Sequence, residues 1–333
     1  MPELPEVETI RQDLVKKILN KKIVRVKVYI SKSAGNNAAN FTNALESNAI
    51  TEIDRRGKLL IWRLKKGKEL LLVHLKMTGQ LIYEKELDSD YPTPRLSPKW
   101  GEEKRFPPPT VGGGRRRGYG GLSKGAELGN KVEIVAGGHK LSEQDIENLP
   151  NKFTRIAFVF TDSSQLFFND QRLFGYMKLV DEKAVEKALK RFGPEPLTKD
   201  FTFKYFTSLF AKRKKTTVKA MLLNQELVAG LGNIYVDEVC FCAGVKPTRR
   251  VGTVTKEEQK KLFHCIPKIL KEALKHRGTT FRNFLDSSGK KGNYTDFLRV
   301  YDRDGEPCRR CGYKIIKTRA AGRGTHFCPK CQK

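Results

Sequence analysis

Acid is what this sequence is short of. Against 65 lysines and arginines stand 37 aspartates and glutamates, a formal net charge of +28. Dispersed lysines on helix faces are ordinarily solvation, but so large an excess sets up a sustained positive field. Such a field draws polyanions, phosphate backbones first. Long apolar runs are missing as well: nothing approaches the roughly 20 residues of a membrane span, and the opening residues include no apolar signal region. An anionic membrane surface would compete as a partner, but there is no basic amphipathic helix to favour it. The expectation is a cytoplasmic protein whose partner is nucleic acid, with no membrane partner. An even cysteine count is wanting too. Seven cysteines in a chain without a secretory signal argue against a disulfide framework.

What is present suffices for several domains. The 333 residues, 38% hydrophobic and 31% charged, can bury a full core. Val7, Ile10, Leu14 and Ile18 recur at helical spacing and predict an amphipathic helix over 4–19. A strand is expected at 23–30, with Val24, Val26, Val28 and Ile30 on one face. Others follow at 50–54, 58–64, 70–75 and 80–84, parted by turn signals at 55–57 and 66–68. Strand character returns at 155–160 and 165–168. Helices are expected at 181–191 and, past the linker turn Gly193-Pro194-Glu195-Pro196, at 200–211, 216–228, 234–242 and 255–276. The fold class is therefore α+β and multidomain. It comprises a β-sandwich with the opening helix packed on it over 1–180, a helical domain over 193–292, and short strands around cysteines over 293–333. Residues 88–150 break the pattern with Pro107-Pro108-Pro109 and a Gly/Arg/Tyr run over 112–121. That composition cannot bury enough apolar surface to order itself. It reads as a flexible basic insert, or as an auxiliary contact to single-stranded nucleic acid.

Four of the seven cysteines crowd the C-terminus. Cys308 and Cys311 form one C-x2-C pair, Cys328 and Cys331 a second, sixteen residues on. Each pair can bite one ion from a tight turn, and the stretch between suits a β-hairpin. Four thiolates so spaced favour one tetrahedral, structural Zn2+, with an iron–sulfur cluster as the minor alternative. The hairpin carries Lys314, Lys317, Arg319 and Arg323, and Gly322-Arg323-Gly324 would set an arginine on the turn tip, suited to a phosphate. Cys240, Cys242 and Cys265 lie in helical patterns and read as packing residues.

Two further stretches each admit two readings. Pro5 with Glu3, Glu6 and Glu8 is an ordinary helix start. With Met1 removed, however, Pro2 would be a free secondary amine. An α-amino group has a pKa of roughly 7.7–8.0, so it can attack a carbonyl-like carbon and form a Schiff base. Gly230-Leu231-Gly232-Asn233 joins two helical patterns, with Asn233 placed to cap the second. The junction is either a simple αα-corner or a phosphate-binding helix N-terminus. Lys212, Arg213, Lys214, Lys215 and Lys219 upstream tilt it toward phosphate.

Taken together, PELPEVET at the start, RRGK at 55–58, HLKMTG at 74–79, D-x-R-x-F-G at 170–175, GPEPL at 193–197, GLGNIY at 230–235 and YDRDGEPCRRCG through the last cysteine pair resemble the bacterial formamidopyrimidine-DNA glycosylases. The motifs run in family order and cover nearly the whole chain outside 88–150. The sister endonuclease VIII group is less similar. The resemblance implies a helix-two-turn-helix domain in the middle and a zinc finger at the end. It also implies a monomeric, nucleoid-associated enzyme of base-excision repair that removes 8-oxoguanine and formamidopyrimidines from damaged duplex DNA, then cleaves the abasic site by β,δ-elimination.

By the same resemblance Pro2 is the nucleophile at C1′ and Glu3 the acid/base residue, supported by Glu6. Lys58 contacts phosphate and assists as general acid, and Arg323 grips phosphates beside the lesion. Asn233 holds the same region, with Lys214 and His74 as backbone contacts. Met77, Arg172 and Phe174 fill the void left by the extruded nucleotide: a flexible thioether, an arginine for the orphaned base and a phenyl wedge. Some positions depart from the family. Lys152-Phe153-Thr154-Arg155 stands where a histidine-bearing DNA contact is common, and Gln171 and Leu173 replace proline and arginine. The lesion-covering loop at 286–297 has its own residues. The rival readings are an endonuclease VIII-like glycosylase for oxidised pyrimidines and a non-catalytic zinc-finger DNA-binding protein.

Overall fold

The computed structural model describes residues 2–85, 132–134, 145, 148–279 and 294–333. Met1 and its expected removal, nearly all of the 88–150 insert, and residues 286–293 of the expected lesion-covering loop lie outside the described residues.

The first helix, α1 (Leu4–Ile18), turns one face inward: Val7, Ile10, Leu14 and Ile18 are buried, as their spacing predicts. It packs on a sandwich of two antiparallel sheets. One sheet contains β1 (Ile23–Val28), β5 (Gly79–Glu84), β6 (Val132–Ile134), β7 (Thr154–Phe160) and β8 (Gln165–Asp170) in the order β1-β7-β8-β5-β6. The other contains β2 (Ile50–Arg56), β3 (Leu59–Leu64), β4 (Leu70–His74) and β9 (Tyr176–Val180), in the order β2-β3-β4-β9. Trp62, Leu71, Val73, Phe158, Phe160 and Phe168 join the α1 residues in one core between the sheets. The apolar strand positions thus close the sandwich by removing that face from water.

Local rules misplace some details. Val24 is exposed, because a register shift between Ile23 and Arg25 breaks the alternation expected for β1. Strand β9 and a short helix, α2 (Ala38–Leu45), are additions to the predicted elements. In each only one or two residues are buried, too few to make a visible period. Within the insert, Val132–Ile134 pairs antiparallel with β5 and extends its edge.

The helical part consists of α3 (Glu182–Leu189), α4 (Phe203–Lys212), α5 (Val218–Leu223), α6 (Asn233–Ala243) and α7 (Lys256–Lys275). The expected helix over 216–228 stops at Leu223, where the Asn224 side chain accepts from Glu226 N and turns the chain. One expectation is corrected outright: Cys242 on α6 and Cys265 on α7 are disulfide-bonded, their Cα atoms 5.9 Å apart. The odd total misled because one residue of the remaining three, Cys240, is left over and buried. The C-terminal hairpin is β10 (Ile316–Ala320) and β11 (Arg323–Phe327). Its turn residues, Ala321 and Gly322, both have positive φ, so Arg323 opens β11 one residue past the tip. No helix among the described residues is long and apolar enough to cross a membrane.

Candidate active site

The site forms where the start of α1 meets the glycine-marked start of α6. Gly230 holds φ +94°, and a Cβ there would lie 2.5 Å from Leu4. At Gly232 a Cβ would lie 2.3 Å from the carboxyl carbon of Glu3. Bare backbone at these two positions lets residues 3 and 4 settle against the junction, and Leu4 N donates to Gly230 O (3.0 Å). The Glu3 carboxylate then accepts from Ile234 N (2.9 Å) and Tyr235 N (3.4 Å), the first free N–H groups of α6. The expected cap, Asn233, lies inside the helix instead, and its Nδ2 donates to Gly324 O (3.1 Å). A carboxylate 231 residues away fills the cap position, so these N–H groups hold Glu3 and not a phosphate.

Burial governs the electrostatics. Glu3 is 3% exposed, and desolvation pushes its pKa from 4.5 to about 7. Lys58 and the α6 N–H groups pull the other way, while Glu6 adds to the rise. Glu6 is itself buried, accepting from Glu3 N (2.9 Å), Thr279 N (2.8 Å) and the Tyr235 hydroxyl. Lys58 leaves the β2–β3 turn and buries its ammonium, donating to Leu231 O (2.7 Å). Burial lowers its pKa, Glu3 and Glu6 oppose that, and the Arg323 charge reinforces it. Glu3, Glu6, Lys58 and Arg323 therefore share one electrostatic neighbourhood. Pro2, next to Glu3 in the chain, is buried at its edge.

The turn carrying Lys58 is held from the linker. Arg55 makes a two-pronged contact with Glu195 (2.9 and 3.0 Å), which also accepts from Gly57 N, and Arg56 donates to Gly193 O (2.9 Å). In the sequence Glu195 belongs to a linker turn and to the family-like GPEPL motif, and neither reading points to its contact with Arg55 and Gly57.

Met77, Arg172 and Phe174 come together from two loops and remain at the surface. The Arg172 guanidinium lies 5.0 Å over the Phe174 ring, with Nη1 3.6 Å from Met77 Sδ. Buried Asp170 shapes their loop, accepting from Arg172 N (3.2 Å), Phe174 N (2.8 Å), Gly175 N (2.7 Å) and the Thr78 hydroxyl. His74 accepts from Lys76 N through Nδ1 (3.0 Å), which assigns the proton to Nε2. Burial lowers its pKa to about 3, so the ring is neutral at ordinary pH. Arg155, in the divergent 152–155 segment, is spent internally on Asp170 O (2.7 Å) and Lys152 O (3.1 Å). Lys214 is exposed beyond α4, its carbonyl accepting from Gly252 N (3.0 Å).

The hairpin with Arg323 is anchored to α6. Lys219 and Asp237, both fully buried, pair at 2.6 Å. Lys219 also donates to Gly324 O (3.1 Å), and Asp237 accepts from His326 N (2.9 Å). Breaking such a pair from one side costs about 3–5 kcal/mol. The four C-terminal cysteines converge, with Sγ atoms 3.9 Å apart for Cys308–Cys331 and 3.5 Å for Cys311–Cys328. Zinc–sulfur bonds of about 2.3 Å in a tetrahedron put sulfurs about 3.8 Å apart, so the donor set fits zinc in both chemistry and spacing.

Comparison with known proteins agrees along the whole chain. Residues 1–177 match the formamidopyrimidine-DNA glycosylase N-terminal domain, 192–284 the formamidopyrimidine-DNA glycosylase H2TH domain, and 305–333 the zinc finger found in FPG and IleRS. The chain is 36% identical to the formamidopyrimidine-DNA glycosylase of Heliobacterium modesticaldum over 336 residues, covering 100% of each. With that of Ligilactobacillus salivarius it shares 35%, covering 100% of this chain and 99% of the other. Among solved structures it is similar to Lactococcus lactis Fpg in complex with DNA containing an abasic site (TM-score 0.74, 31% identity, 99% of each chain). The same protein bound to N7-benzyl-Fapy-dG DNA gives a TM-score of 0.74 at 31% identity, covering 100% of each chain.

Proposed function

The chain belongs to the formamidopyrimidine-DNA glycosylase family and is a base-excision DNA glycosylase with abasic-site lyase activity, and from that premise we propose which of its residues do the work. Pro2, freed of Met1, attacks C1′ of an oxidised purine nucleotide such as 8-oxoguanine or a formamidopyrimidine. The bond from C1′ to the base breaks and the base leaves with a proton. Glu3 delivers a proton to the ring oxygen, the sugar opens, and a Schiff base remains between Pro2 and C1′. The iminium draws electrons, so the C2′ proton becomes acidic. Its loss expels the 3′ phosphate, and a second elimination expels the 5′ phosphate. One amine thereby serves both steps.

The observation that carries this reading is the buried Glu3 carboxyl, next to Pro2 in the chain, with a pKa of about 7. A carboxyl so poised holds a proton at neutral pH and can also take one back. Lys58 and Arg323 supply positive charge for the flanking phosphates, and Asn233 braces the hairpin that presents Arg323. His74 Nε2–H and Lys214 are further phosphate donors. Met77, Arg172 and Phe174 enter the duplex where the nucleotide leaves, supported by their surface exposure and mutual packing. Cys308, Cys311, Cys328 and Cys331 would hold one Zn2+, which supplies no chemistry and keeps the finger folded. The units doing this are 1–180, 193–292 and 293–333, in a monomer acting on damaged duplex DNA in the cytoplasm, at the nucleoid.

The test is to block the N-terminus with one extra residue. Borohydride trapping on abasic DNA should vanish while duplex binding persists. Trapping that survives the block would overturn the assignment of Pro2.

A further inference from the structure

The zinc-type spacing of the four cysteines provides a yardstick for a second cluster at the root of the same hairpin. His326, on β11, is buried, and neither ring nitrogen has a hydrogen-bond partner. Its Nδ1 lies 3.6 Å from Asp237 Oδ2, and its Nε2 lies 3.4 Å from Asp304 Oδ1. The ligand atoms of Asp302, Asp304 and His326 all lie within 4.8 Å of one another. A buried imidazole left without hydrogen bonds costs free energy unless something else takes its lone pair.

From these distances we propose that Asp302, Asp304 and His326 form a second divalent-cation site, for a borderline first-row ion such as Zn2+ or Co2+. Nitrogen and oxygen ligands at about 2.0–2.1 Å in a tetrahedron stand about 3.3–3.4 Å apart. The Nε2–Oδ1 separation has that value, just as the sulfurs bracket theirs. One imidazole and two carboxylates select borderline ions over Mg2+ or Ca2+. Asp237 Oδ2 stands 3.6 Å behind Nδ1, on the side where a carboxylate would favour the Nδ1–H tautomer that leaves Nε2 free to ligate. Asp302 and Asp304 are exposed, so the ion has an entry path and room for water ligands. Two cations could compete. Lys317 reaches Asp304 at 3.6 Å but is half-exposed and free to swing out. Arg303 is committed to Glu306, Arg299 O and Pro307 O. A bound ion would tie the 302–304 turn to β11, three residues from Arg323.

The test uses the zinc-loaded full chain, with one zinc per chain verified after gel filtration, titrated with Co2+ by calorimetry and visible absorption. The expected result is one further equivalent with the visible d–d bands of tetrahedral Co2+ and no thiolate charge-transfer band. Asp304→Asn and Asp302→Asn should each weaken it at least tenfold while the single zinc is retained. Both variants alter exposed side chains, so His326→Phe is needed only as a third check. No second equivalent in the wild-type protein would overturn the proposal. So would affinity unchanged in both aspartate variants, or cobalt carrying the thiolate band.

Discussion

Glu3 is an acid whose proton is set by burial and by the helix it caps. Its pKa rises on folding from 4.5 to about 7, so the stability attached to its protonated form is complete below about pH 4.5 and lost as pH rises through 7. A glutamine there does not titrate. Glu3→Gln should therefore gain on the wild-type protein between about pH 5 and 8.5, by about 3 kcal/mol at most, in urea melts at the two values. A difference independent of pH would contradict the raised pKa. The same variant should lose base release by about 100-fold or more in single-turnover assays, because proton transfer is removed. His74, its pKa lowered by burial, stays neutral in the folded protein over this range. Its own effect, a loss of stability as pH falls below the ordinary histidine value, is common to both proteins and cancels in their difference.

At the scale of elements, the meeting of α1 with α6 is the most demanding feature, and it rests on Gly232. Gly232→Ala places a methyl 2.3 Å from the Glu3 carboxyl carbon, so Glu3 must leave the α6 N–H groups. Base release should fall by about 100-fold while duplex affinity stays within a few-fold. Full activity in Gly232→Ala would show that Glu3 need not sit there. This junction also marks the limit of what sequence could reveal. The cysteines are legible from their spacing alone, whereas Pro2 and Glu3 read equally as a helix start and Lys58 takes its role only from the family resemblance of its motif. Local capping rules assigned the α6 cap to Asn233, because nothing in residues 227–235 announces a carboxylate arriving from position 3. Glu195 was missed for the same reason: its partners, Arg55 and Gly57, lie about 140 residues away. Cys242 and Cys265 looked like packing residues because each fits a helical period, and only the α6–α7 crossing brings them together. At Val24 a bulge overrode an alternation that was otherwise sound.

For the molecule as a whole, a sandwich, a helical domain and a finger bring four charged groups to one place, and a net charge of +28 draws the duplex there. The finger brings Arg323 into the electrostatic neighbourhood of Lys58, on a hairpin held by Lys219, Asp237 and Asn233. Stripping zinc with a chelator should lower duplex affinity by about tenfold or more and abolish trapping. The sandwich signal in far-ultraviolet circular dichroism should persist. Unchanged trapping in zinc-free protein would separate the finger from catalysis.

On the proposed mechanism one amine, at Pro2, makes the bond to DNA. Borohydride reduction during turnover of a duplex with 8-oxoguanine opposite cytosine, followed by proteolysis and mass spectrometry, tests it directly. The expected product is a deoxyribose-derived adduct on the N-terminal peptide beginning at Pro2, located on its nitrogen. An adduct on Lys58, or on any other lysine with Pro2 unmodified, would contradict it.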